Sequence, residues 1–103
     1  MRVYFATYDL RSLYEIPLSE LKGKQKFPQD IIKQYKKKVQ LLIAIPKLEN
    51  LKQFTGLNFE YLKGDKKGSC SIRLNDQYRL ILMPIQEEKV QVVLVHEISK
   101  HYE

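Results

Sequence analysis

Between Pro28 and Pro46 apolar residues recur with the period of a helix: Ile31, Ile32, Tyr35, Val39, Leu42 and Ile43, at spacings of three and four. Lys33, Lys36, Lys37 and Lys38 fall mainly off that stripe. Pro28 and Asp30 mark its start, because a missing N–H is harmless in the first turn and a carboxylate suits the positive helix end. Pro46 ends it. Leu48, Leu51 and Phe54 form a second, shorter stripe, and Gly56 supplies the stop. Beyond Gly56 the period falls to about 2. Leu57 to Leu62, Ser69 to Leu74, Tyr78 to Ile85 and Val90 to Val95 read as strands. Upstream, Arg2 to Tyr8 reads as a strand ending at Asp9. Leu10 to Lys26, interrupted by Pro17 and Gly23, reads as mostly irregular. One strand, two helices and an antiparallel meander make an α+β fold. Apolar residues at both parities from Leu80 and from Val92 predict central strands covered on two faces.

A slip of one residue sends every strand side chain to the opposite face, so pattern can test hairpin register. A three-residue loop Asn75-Asp76-Gln77 pairs Leu74 with Tyr78, Ile72 with Leu80 and Cys70 with Leu82 on one apolar face. Arg73 then lies beside Arg79 on the other face. In the next hairpin a loop of Gln86 to Lys89 pairs Ile85 with Val90 and sets His96 opposite Arg79. Like charges on adjacent strands repel by roughly 0.2 to 1 kcal/mol per pair, so a fold that tolerates them can be holding them for an anion. The plainer alternative is a pair of solvated arginines near a turn and a hydrogen-bonded structural histidine.

Composition narrows the partner. The 103 residues carry 18 Lys and Arg against 12 Asp and Glu, a formal charge of +6 that favours a polyanion. Residues 1–103 suit a single domain, and 44% hydrophobic residues suffice for a core. The single cysteine, Cys70, cannot form an internal disulfide, and no secretory signal opens the chain, so a cytoplasmic location is expected. The apolar run Leu41 to Pro46 is far short of the ~20 residues that span a bilayer, so no membrane partner is expected.

Between the first two meander strands, Leu62-Lys63-Gly64-Asp65-Lys66-Lys67-Gly68 combines two glycines with three lysines. Such a loop can approach a phosphate backbone, or it can be a solvated turn. Lys36-Lys37-Lys38 has the same two readings. Residues from Glu97 onward, with His101 and Tyr102, read as a tail that is either frayed or folded back to supply proton-transfer groups.

The nineteen residues Leu62 to Leu80 carry Leu-Lys-Gly-Asp, Ser-Ile-Arg and Gln-Tyr-Arg in order, and this run resembles the hallmark of HigB-type toxins in the RelE superfamily. The resemblance implies a RelE-like fold with helices packed on one face of the sheet. It implies a type II toxin, a ribosome-dependent mRNA endonuclease neutralised by a helix-turn-helix, HigA-like antitoxin. The implied chemistry uses neither metal nor cofactor: the ribose 2′-hydroxyl attacks the adjacent phosphate, a base takes its proton, cations stabilise the phosphorane and an acid protonates the leaving oxygen. The motif points to Arg79 first for phosphate stabilisation, with Arg73 and Lys63 as second choices, and to Lys63, Lys66, Lys67 and Arg73 for RNA binding. His101 is the preferred acid or base, with Tyr102 and His96 as alternatives. The family commonly ends on Asp-Tyr-His, where His96-Glu97-Ile98 stand here, and Glu60 replaces a histidine expected before the Lys-Gly-Asp motif. Two other readings compete: a ParE-like relative that poisons DNA gyrase by contact, and an inactive relative that only binds RNA. The Arg and His set favours cleavage, since a protein binder needs no titratable group at the sheet end.

Overall fold

A computed structural model describes residues 1–100. Five strands form one mixed sheet in the order β1-β5-β4-β3-β2, with β1 at Arg2–Phe5, β2 at Glu60–Tyr61, β3 at Cys70–Arg73, β4 at Tyr78–Glu87 and β5 at Val90–Lys100. The meander β2 to β5 is antiparallel as expected, whereas β1 pairs in parallel with β5, Phe5 opposite Val95. The central strands are covered on both faces where the pattern predicted it: Leu80, Leu82 and Val93 are fully buried toward the helices, and Ile81 and Val92 are buried on the reverse.

The long helix, α2, runs from Gln29 to Ala44, and the Pro28 carbonyl accepts from the Ile31 and Ile32 amides at 3.1 Å each. Ile31, Tyr35, Val39 and Leu42 lie against Cys70, Ile72, Leu80, Leu82, Val93 and Val95 in the main core. Ile43, expected on this stripe, is 48% exposed, because the final turn has rotated it past the sheet. The Met1 ammonium donates to the carbonyls of Leu42 and Ile43, at 3.1 and 2.8 Å, which suits the negative end of a helix.

Further expectations need correction. The strand read over Leu57 to Leu62 is reduced to Glu60–Tyr61, because Leu57 closes a 3₁₀ turn and Asn58 follows it in a left-handed conformation. The stretch read as irregular contains α1, Tyr8–Glu15, in which Thr7 Oγ1 caps the start by accepting from the Leu10 amide at 3.1 Å. The second predicted helix is instead a pair of 3₁₀ turns, Leu48–Gln53 and Thr55–Leu57. A segment this short, closed in behind Pro46, cannot offset helix nucleation, yet it still buries Leu48 and Leu51. Its stop is Asn58, at φ 48°, and Phe54 remains exposed.

α1 is fastened to α2 by two side chains. The buried Tyr35 hydroxyl donates to the Leu10 carbonyl at 2.7 Å, and burial raises its pKa well above the ordinary tyrosine value. The Lys36 ammonium donates to the carbonyls of Tyr14, at 3.0 Å, and Ile16, and burial lowers its pKa. Lys36 thus closes the C-terminal end of α1 and is not part of an exposed basic face. Tyr35→Phe keeps the ring and removes one buried hydrogen bond. Urea unfolding should show a loss of about 1 kcal/mol, and an unchanged midpoint would mean the bond contributes nothing.

Candidate functional site

The β3–β4 hairpin has the register predicted from its apolar face, with Cys70 opposite Leu82, Ile72 opposite Leu80 and Arg73 opposite Arg79. Its loop is an Asx turn: Asn75 Oδ1 accepts from the Gln77 and Tyr78 amides, both at 2.8 Å. The loop also restrains the two arginines. Arg79 Nη1 donates to the Asn75 carbonyl at 2.7 Å and to the Tyr78 carbonyl at 3.1 Å, while Arg73 pairs with Asp76. Asp76 and the loop carbonyls offset repulsion between the guanidinium groups, so the pair can persist half-buried on the face away from the helices.

His96 does not stand opposite Arg79. The β4–β5 turn is only Glu88-Lys89, with Glu88 at φ 55°, and it pairs Glu87 with Val90 and Ile85 with Val92. A bulge after Val95 then shifts the register again, so that Arg79 faces Ser99 and Ile81 faces Glu97. His96 is the inserted residue. Three positions at strand rise place it ~10 Å along β5 from Ser99. Bulges re-aim side chains. Here Val95 and Ile98 both keep to the core, which leaves His96 and Glu97 together between them, with His96 Nε2 3.9 Å from Glu97 Oε1.

Glu97, first read as the start of a tail, is therefore a strand residue on the arginine-bearing face. Two adjacent polar residues between Val95 and Ile98 break strand alternation, and that break was the available signal. Lys66 Nζ lies 3.3 Å from the same Glu97 oxygen. Lys66 belongs to a 3₁₀ turn, Gly64–Lys66, bracketed by Gly64 at φ 68° and Gly68 at φ 94°, conformations that glycine adopts without strain. Ser71 and Ile81 occupy the register row between that loop and Glu97, and both are buried. Lys66 is thus paired with Glu97, and Lys63, Lys66 and Lys67 are all exposed on this loop. Glu60 sits at the edge, opposite Ser71. His101 and Tyr102 lie outside the described residues.

Cys70 is fully buried, and burial pushes its thiol up to about 12 from an ordinary 9.0. It is no nucleophile. Native protein should resist thiol alkylation at pH 8, and denatured protein should react at once; rapid labelling of native protein would place Cys70 at the surface instead. Because the folded thiol holds its proton where the unfolded one loses it, stability should fall as pH rises from about 9 toward 12. Among the described residues no group of three or more His, Cys, Asp or Glu could hold a metal ion. No helix there is long and apolar enough to cross a membrane.

The arrangement offers two guanidinium groups for a phosphate, with an imidazole and a carboxylate further along one strand for proton transfer. A family model described as HigB-like toxin, RelE-like toxin of type II toxin-antitoxin system HigB, matches residues 5–96. The chain belongs to the HigB-like toxin family. Toxin HigB-1 of Vibrio cholerae serotype O1 is 47% identical over 45 residues, which are 44% of this chain and 47% of that protein. The chain thus matches about half the length of that curated relative. The YoeB/ParE toxin from Agrobacterium tumefaciens aligns over 99% of this chain and 100% of its own, with a TM-score of 0.55 at 19% identity. At that identity the likeness shows the fold: the family's RelE-like sheet and helices.

Proposed function

We propose that this HigB-like toxin is a ribosome-dependent mRNA endonuclease working without metal or cofactor. The reading rests on one observation, the Arg73–Arg79 register pair on the sheet face that also carries Glu97, with His96 Nε2 3.9 Å from the Glu97 carboxylate. RNA lies along that face, held by Lys63, Lys67 and Arg73, with Lys66 keeping the loop against Glu97. The 2′-hydroxyl attacks the neighbouring phosphorus, and the bond to the 5′-oxygen breaks. A cyclic phosphate and a free 5′-hydroxyl result. Arg79 stabilises the phosphorane charge, with Arg73 beside it. The proton leaves to a base and returns to the 5′-oxygen from an acid. His96, His101 and Tyr102 are the candidates for these roles, each of a type that exchanges protons near neutrality or bonds to the departing oxygen. A HigA-like helix-turn-helix antitoxin covers the face, and the setting is the cytoplasm.

Induction in growing bacteria tests this directly, with primer extension on translated messages. New mRNA ends that depend on translation support the proposal. Growth arrest with DNA breaks and intact messages would replace it with gyrase poisoning, and silence in both assays would leave an inactive RNA binder.

A further inference from the structure

β1 stops pairing at Phe5, so among the described residues no strand lies beside the outer edge of β5 beyond Val95, and a cleft of about 380 Å³ opens there. Ile98, Leu13 and Phe27 line it as buried or half-buried apolar surface, while Asp9, Lys26 and His96 are exposed. The nuclease reading uses only His96 of this cleft and gives no task to its apolar walls or to Asp9.

We propose that the cleft takes one base of the bound RNA and that the Asp9 carboxylate selects guanine. The inference rests on the RNA-cleaving reading above. The cleft is large enough for a purine, and an aromatic side chain at half-buried apolar walls is how proteins hold an unstacked base. The Lys26 ammonium sits over the Phe27 ring, 5.6 Å from its centroid; when a base stacks on that face the lysine must swing aside, where its charge meets the attached phosphate. Spacing fits as well. His96 lines the cleft, and Arg79 faces Ser99 three residues along the same strand, ~10 Å away at strand rise, a distance of one or two nucleotides.

Hydrogen-bonding chemistry chooses the base. An ionised carboxylate only accepts, through two oxygens that match a forked pair of donors. Guanine presents such a pair on its Watson–Crick edge, N1–H beside the N2 amino group. Adenine and cytosine present one amino donor beside an acceptor, and uracil one donor between two acceptors. Asp9 stands in the first turn of α1, with no hydrogen-bond or ion-pair partner among the described residues. Its carboxylate is therefore exposed and open to a ligand.

The test titrates ¹⁵N-labelled protein with each of the four nucleoside 5′-monophosphates. GMP should move the amides of Thr7, Leu13, Lys26 and Ile98 and bind about tenfold more tightly than the other three, with Asp9→Asn removing that margin while the melting curve is kept. Silence of those amides, or equal affinity for all four, overturns the proposal. Sequencing of mRNA ends supplies the second arm. Guanine should be enriched at one fixed distance from the cut, and Asp9→Asn should lower the ratio of guanine to non-guanine sites toward one. A GMP margin in solution with no guanine preference at the cuts overturns the placement on the RNA path. A GMP margin with no mRNA cleavage leaves the cleft standing and sinks the nuclease reading alone.

Discussion

Arg79→Ala is expected to lower the rate of mRNA cleavage by about two to three orders of magnitude, the usual loss when a preorganised donor to a developing oxyanion is removed. Preorganisation is visible around this residue. Two backbone carbonyls of its own turn already hold Nη1, at 2.7 and 3.1 Å, so the guanidinium need not be fixed by substrate. Its half-buried setting makes the charge count for more than it would in open water. Arg79→Lys keeps a cation but loses the planar fork and its bond to the loop, and should recover only part of the rate. Single-turnover cleavage on ribosomes programmed with a defined message separates these variants. The loss should appear in the cleavage step at saturating toxin, and melting temperatures should stay within a few degrees of wild type, since no apolar core contact is removed. Wild-type cleavage by Arg79→Ala would place the phosphate elsewhere.

The Arg73–Arg79 pair was legible because Cys70, Ile72 and Leu74 face Tyr78, Leu80 and Leu82 in only one register that keeps an apolar face apolar. His96 was misplaced for the opposite reason. Both parities are apolar up to Ile85 and again from Val92, and the residues between are polar apart from Val90, so the side-chain pattern carries no register information across that turn. The structure closes it with Glu88 in a left-handed conformation that Asn or Gly would have signalled. The bulge then adds one more step. Its trace lay in the adjacent His96 and Glu97, which looked like the end of a strand because alternation failed there. α1 was hidden for a different reason: its apolar stripe is only Leu10, Leu13 and Tyr14, a single i, i+3, i+4 set cut off by Pro17, and Thr7 and Asp9 were its only clear start signals. Local chemistry made the arginine half of the proposed site readable. The proton-transfer half depends on how two strands slide past each other, and on residues 101–103, whose His101 and Tyr102 lie outside the described structure.

Leu82→Ala should cost about 2 to 5 kcal/mol, a large share of the stability of a chain this size. Leu82 is fully buried at the middle of β4, opposite Cys70 on one side and Val95 on the other, and belongs to the core cluster that includes Tyr35 and Val39 of α2. Neighbours on two strands and a helix cannot all move inward, so most of the volume should remain as a cavity. Its position ties stability to the site. Val95, its partner, is the last residue before the bulge that inserts His96 and sets Glu97 on the arginine-bearing face. A cavity there should loosen the bulge before the hairpin holding Arg73 and Arg79, whose Asx turn is local. Calorimetry should find the melting temperature lowered by roughly 10 to 20 °C. Hydrogen exchange should show protection lost first at Glu97 and Ile98 and retained at Tyr78. Val90→Ala, at a position 59% exposed on the same sheet, should change stability by no more than about 0.5 kcal/mol. Equal losses in the two variants would mean that the Leu82 contacts do not hold the sheet to α2.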